Sequence, residues 1–194
     1  MIRFFILLVI ALLGAGCQST DTYTKYYQLA DAPVQRQVEQ RQIQLIIEPV
    51  VLVDFLKRPN LLLKQADNTL YVTNYHVWAE PLDKAIGRAM VNFINQQSDK
   101  LRSEHRLFDQ CNKTQCYRLT LFVEGFYPTK QSQVEFSGKY RLSNNDNEVI
   151  AQQDFNLVDD LELDGYPHAV DKLQKLIHQL SSQIEQKITV IPAQ

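Results

Sequence analysis
Residues 75–86 read YHVWAEPLDKAI and bring the chain's one tryptophan, Trp78, together with His76, Glu80 and Pro81. A histidine that titrates near neutrality and a nearby carboxylate can serve as a general acid–base pair, provided they reach a common proton. The spacing argues against that use. Residues four apart on a strand share a face but stand about 13 Å from each other, and Pro81 suits the first position of a helix that starts directly after Glu80. His105, His168 and His178 are scattered, none with the partner four residues away that a helical zinc site uses. No serine or cysteine lies in a nucleophile-elbow sequence. No catalytic residue, cofactor or metal ligand is therefore assigned, and the chain is not expected to be an enzyme.

The run DDLELDGYPHAVD (159–171) raises cation chemistry. Counted from Asp160, carboxylates fall at loop positions 1, 3 and 5 (Asp160, Glu162, Asp164), with Gly165 at 6 and Asp171 at 12. That is the ligand order of an EF-hand. Three features depart from it: Asp171 replaces the long bidentate glutamate, Pro167 sits within the loop, and no helical pattern precedes it. The other reading is an acidic lead into a helix, whose positive end favours carboxylates.

What these groups can do depends on where the chain resides. MIRFFILLVIALLGAG carries Arg3, an apolar run from Phe4 to Leu13, and then Gly14, Ala15 and Gly16 ahead of Cys17. A basic start, a short apolar stretch and a small-residue cleavage site make a secretory signal. The run is shorter than the roughly 20 apolar residues of a membrane span. LGAGC resembles a bacterial lipoprotein signal, in which the chain is cut before the cysteine and that residue is acylated. Leu13 stands four places before Cys17, with Gly14 in the usual leucine slot. The resemblance implies a signal peptide at 1–16, lipid attachment at Cys17, a tether to residue 24, and a single periplasmic domain over 25–194. Several acyl chains anchor firmly, at about 0.8 kcal/mol per buried CH₂. With Gln18 rather than aspartate after the cysteine, it also implies the periplasmic face of the outer membrane.

Loss of Arg3 takes the formal charge from −2 to −3, so there is no basic surplus to hold nucleic acid. In an oxidising periplasm Cys111 and Cys116 are candidates for a disulfide closing CNKTQC. It would contribute about 2 kcal/mol, because a short loop restrains little unfolded-state entropy. Free thiols are the alternative, and a redox-active pair would take C-x-x-C at a helix start.

The elements that position these residues are legible from periodicity. KYYQLA (25–30) is a short strand, and QIQLIIEPV (42–50) is apolar on both faces, as in a covered strand. DAPVQRQVEQRQ (31–42) is a polar loop, and DFLKRP (54–59) is one helical turn ended by Pro59. LLLKQ (61–65) and TLYVTNYHVW (69–78) flank Ala-Asp-Asn as a hairpin. CYRLTLFVEGFY (116–127), VEFSGKYRL (134–142) and VIAQQDFNL (149–157) follow one another across short turns as an antiparallel meander. Leu82, Ile86, Ala89, Met90, Phe93 and Ile94 stripe a helix from Pro81. Val170, Leu173, Leu176, Ile177, Leu180, Ile184 and Ile188 stripe a second, from about Pro167 to Ile188. The fold class is an α/β (α+β) two-layer sandwich: a mixed, largely antiparallel sheet with two main amphipathic helices packed on it.

In this order, KYYQL, FLKRPNLLLK (55–64), WAEPLDKAIGRAMVNFI (78–94) and DGYPHAVDKLQKLIHQLSSQI (164–184) are similar to the PqiC-like, ABC-type transport auxiliary lipoproteins. The resemblance covers most of the mature chain. Its signature residues here are Arg58, Pro59, Trp78, Ala79, Glu80, Pro81, Leu82, Asp164, Gly165 and Tyr166, all in structural roles. The loop at 31–42 and the CNKTQC segment depart from the pattern. The resemblance implies a non-enzymatic outer-membrane lipoprotein that forms a homo-oligomeric ring or collar. Its expected partner is an MCE-domain protein spanning the periplasm, in a lipid-transport system that supports envelope integrity. The second reading is a carrier holding a lipid or other amphiphile between helices and sheet.

Overall fold
A computed structural model describes residues 23–29, 41–106 and 115–190. The signal segment and its lipidation site Cys17, most of the loop at 31–42, and Cys111 fall outside the described residues. In chain order the elements are β1 (Lys25–Tyr27), β2 (Ile43–Ile47), β3 (Val51–Leu52), a 3₁₀ turn (Asp54–Lys57), β4 (Asn60–Lys64) and β5 (Leu70–Trp78). There follow α1 (Leu82–Gln97), β6 (Leu101–His105), β7 (Gln115–Thr129), β8 (Gln133–Ser143), β9 (Val149–Asp160) and α2 (Tyr166–Thr189). Among the described residues all nine strands join one mixed sheet with two long helices, an α+β sandwich.

The long strand β7 organises the sheet. Along one edge it takes three short strands in succession, all parallel to it. Ile43–Ile47 lie opposite Gln115–Leu119, Val51 and Leu52 opposite Phe122 and Val123, and Lys64 opposite Thr129. Backbone hydrogen bonds at the joints keep the chain against that edge, the Glu48 amide donating to the Leu119 carbonyl at 2.9 Å and the Val53 amide to the Val123 carbonyl at 3.1 Å. On its other edge β7 begins the antiparallel meander β7–β8–β9. The hairpin β4–β5 is antiparallel and closes at Asn68, whose φ of 65° is one that asparagine tolerates better than most residues. Strand β1 is added outside β5, in parallel.

Burial explains which face does what. Val134, Phe136, Tyr140 and Leu142 are buried while Lys139 and Arg141 between them are exposed, the alternation of a sheet covered on one side. Helix α2 lies over β7, β8 and β9, and α1 packs against α2 and β6. Phe93 of α1 stacks on His178 of α2 with ring centroids 4.2 Å apart. Strand β2 is buried at all five positions. Ile43, Leu45 and Ile47 enter the hydrophobic core, while on the other face Ile46 sits between Glu104 of β6 and Arg118 of β7, and Gln44 between Arg102 and Cys116.

Gly138 shows how tightly β8 meets β7. A Cβ there would stand 2.1 Å from the carbonyl oxygen of Phe122, and the β7–β8 ladder shifts register at the neighbouring Val123–Gly125. The sequence leaves two strands unmarked, β3 and β6. Strand β3 has only two residues. In β6, LRSEH, Leu101 is the one aliphatic residue, so no apolar alternation announces it.

Candidate functional site
The residues singled out in the sequence converge where β1, β5, the start of α1 and the start of α2 meet. Register places Tyr27 opposite Trp78 and Lys25 opposite His76, so these four side chains share a face. The Tyr27 hydroxyl is 2.7 Å from His76 Nδ1. The imidazole also lies against Tyr166, the first residue of α2, with ring centroids 4.2 Å apart. Desolvation, with the Lys25 ammonium nearby, holds His76 below its ordinary pKa of 6.5, so it is neutral at physiological pH.

Trp78 is buried, and its ring meets Phe126 of β7 at 5.8 Å. Its amide donates to the carbonyl of Pro59 at 2.7 Å, and the Ala79 amide donates to the carbonyl of Tyr27 at 2.7 Å. Arg58 closes the preceding 3₁₀ turn by donating from Nε to the Phe55 carbonyl at 3.1 Å. Glu80 forms an ion pair with Arg88, two turns into α1, and Arg88 also donates to the Leu29 carbonyl at 3.3 Å. His76 and Glu80 thus have separate partners. Helix α1 begins at Leu82, with Pro81 as its cap rather than its first residue. The Pro81 carbonyl accepts from the amides of Lys84 and Ala85 at 3.0 and 3.1 Å. Leu82 is buried beneath this turn.

The acidic run is spent on internal pairs. Glu162 accepts from Lys172 Nζ at 2.7 Å and lies 3.0 Å from His168 Nε2, while Lys172 reaches Asp159 at 3.0 Å. Lys172, the Glu162 backbone amide and His168 together hold the Glu162 carboxyl down to about 2. Asp160 accepts from Gln133 at 3.0 Å. Two of the loop positions that would ligate calcium are therefore engaged by side chains of the chain itself. Asp164 is exposed, and Gly165 turns the run into α2 with φ 108°, a conformation that strains any residue with a Cβ. Cys116 is buried on β7 and disulfide-bonded.

Two hollows flank the junction. One of about 330 Å³ lies between the β2–β3 connection and the α1 start, lined by Val50, Val51, Leu52, Pro81 and Leu82. A second, about 190 Å³, is lined by Glu48, Glu80, Gly87, Arg88 and His105. Burial, with Lys84 and Arg88 close by, lowers the pKa of His105. The glutamates around it are already paired, Glu80 with Arg88 and Glu48 with Arg106 at 2.9 Å and Arg118 at 3.5 Å. Sequence reasoning did not find Tyr27, Leu29 and Arg88 as partners of the signature block. Their spacing carries no mark, because the contacts cross from β1 to β5 and α1.

The protein is thus a two-layer α+β body whose most distinctive residues brace one another. Its family model is the ABC-type transport auxiliary lipoprotein component, matched over residues 27–185. The chain belongs to that family. No curated protein matches it. Among solved structures, the chain is similar to one described as an uncharacterized protein, at 23% identity and TM-score 0.72, covering 86% of this chain and 99% of that one. It is also similar to protein XCC0632 from Xanthomonas campestris, at 15% identity and TM-score 0.63, covering 82% and 92%. These likenesses show the shared fold.

Proposed function
We propose that this chain is the outer-membrane-anchored auxiliary lipoprotein of a lipid-transport system, held by acylated Cys17 and docking a periplasm-spanning MCE-domain protein. The family match over residues 27–185 carries the reading, since it spans nearly the whole folded body. The bacterial envelope is the setting that a transport auxiliary lipoprotein requires. The homo-oligomeric collar and the Cys111–Cys116 disulfide belong to the same proposal, the latter supported by the bonded state of Cys116. Among the described residues no helix is long and apolar enough to cross a membrane, so attachment in this reading falls to the lipid.

The packing between helices and sheet favours docking over carriage. Leu119, Leu121, Phe136, Leu173, Ile177 and Leu180 fill that space with essentially no exposure, whereas a carrier would need room there for acyl chains. The experiment is affinity capture of the tagged lipoprotein from detergent-solubilised envelopes, paired with deletion of its gene. Co-purification of an MCE-domain protein and detergent sensitivity of the deletion strain are expected. Failure of both would refute the reading.

A further inference from the structure
The chain has nine tyrosines, and those that are exposed collect at one edge of the sheet. Tyr23 and Tyr26 are 68% and 71% exposed, Tyr71 and Tyr75 are 50% and 44%, while Tyr27, Tyr117, Tyr127 and Tyr140 are buried and Tyr166 is half-buried. All four exposed rings lie at β1 and β5. Strand β1 pairs with β5 on one side and ends the sheet on the other.

The rings straddle that edge. Tyr26 is opposite Val77, and Tyr75, two residues earlier on β5, shares the face of Val77, so Tyr26 and Tyr75 are diagonal neighbours. The other face carries Lys25, Tyr27 and His76, with Tyr166 against the imidazole. Burial, and after it the neighbouring Tyr71 and Tyr27, raise the pKa of the Tyr166 hydroxyl. Tyr23 stands at the mouth of the strand, with Lys25 Nζ 5.5 Å from its ring centroid.

Tyrosine on both faces of a sheet edge suits a boundary between apolar and wet surroundings. The ring buries in the upper acyl region and the hydroxyl stays with the headgroups. The sequence supplies the boundary. Five residues separate Cys17 from Tyr23, and the span between the two reaches at most about 20 Å fully extended. A lipid on Cys17 therefore keeps this edge, more than any other part of the body, within reach of the leaflet surface. Lys25 adds a cation where phosphates would lie.

We propose that the β1–β5 edge is a membrane-seating surface. On it Tyr23, Tyr26, Tyr71 and Tyr75 enter the headgroup region of the leaflet that holds the Cys17 acyl chains, fixing the orientation of the body. The seating rests on the anchored reading given above. The test places single nitroxide labels at Tyr26→Cys, Tyr75→Cys and, as a control on the far edge strand, Val158→Cys. The labels are carried by the full, processed lipoprotein in phosphatidylethanolamine–phosphatidylglycerol vesicles, and mass spectrometry of the N-terminal peptide is read in parallel. All three positions are exposed, so the variants should keep the parent's circular dichroism. The expected result is a several-fold higher ratio of oxygen to nickel-chelate collisions at the two edge labels than at the control. An acylated protein whose edge labels match the control overturns the seating alone. Edge labels shielded from both reagents mark a contact between copies and overturn it as well. An unacylated Cys17 overturns the anchored reading and removes the seating with it.

Discussion

Replacing Trp78 by alanine tests whether the signature block is a brace. The tryptophan is 6% exposed, its indole lies 5.8 Å from the Phe126 ring, and its backbone joins β5 to Pro59. A buried indole removes about 200 Å² from water, which at about 25 cal/mol per Å² amounts to about 5 kcal/mol. Alanine keeps the Cβ and the surroundings relax in part, so the expected loss is about 3–5 kcal/mol. For a domain of this size that lowers Tm on the order of 10 °C. Urea denaturation followed by far-UV circular dichroism measures it, because removing the chain's one tryptophan also removes the indole signal. Trp78→Phe should recover more than half of the loss, since an aromatic ring still meets Phe126. A Trp78→Ala protein within about 1 kcal/mol of the parent that no longer captures its partner would refute the brace and make Trp78 part of the docking surface.

Gly138→Ala should destabilise by about 2–3 kcal/mol or abolish folding, because the new methyl lands on the Phe122 carbonyl; soluble yield and the urea midpoint report it. Glu162 is held down to about 2 from an ordinary 4.5, so its contribution is complete above about pH 4.5 and fades as pH falls towards 2. Glu162→Gln should flatten that part of the acid-unfolding curve. His76 and His105 are both held below 6.5 by burial, so the unfolded chain binds protons first and stability declines below pH 6.5. Urea midpoints measured from about pH 7 down to about pH 5 should fall for the parent. They should fall less for His105→Asn, with the urea titration as the check.

The helices and the meander were legible because each writes its own period. A stripe every three to four residues marks α1 and α2, and alternation marks β8 and the stretch of β7 from Tyr117 to Val123. The hairpin at Asn68 was legible from its turn residues. The second helix, expected to start about Pro167, begins one residue earlier, after the positive-φ Gly165. A residue with a Cβ at the centre of Asp164-Gly165-Tyr166 would be strained by that φ. The candidate site was half legible. Its residues on the 75–86 stretch and at 164–166 were in view, but their partners were not.

What the chain determines by itself is therefore local: the amphipathic helices, the turns, and the departures that spoil the EF-hand order. Tertiary structure alone decided the parallel pairings. Strands β2, β3 and β4 line up along one edge of β7 across about seventy residues of sequence, and parallel pairing at that distance leaves no periodic trace. It also decided the use of charge. Lys172 claims Asp159 and Glu162, and Arg88 claims Glu80, because helices bring those cations back to the loops that precede them. A carboxylate's partner is set by where the folded chain returns, and composition cannot announce that.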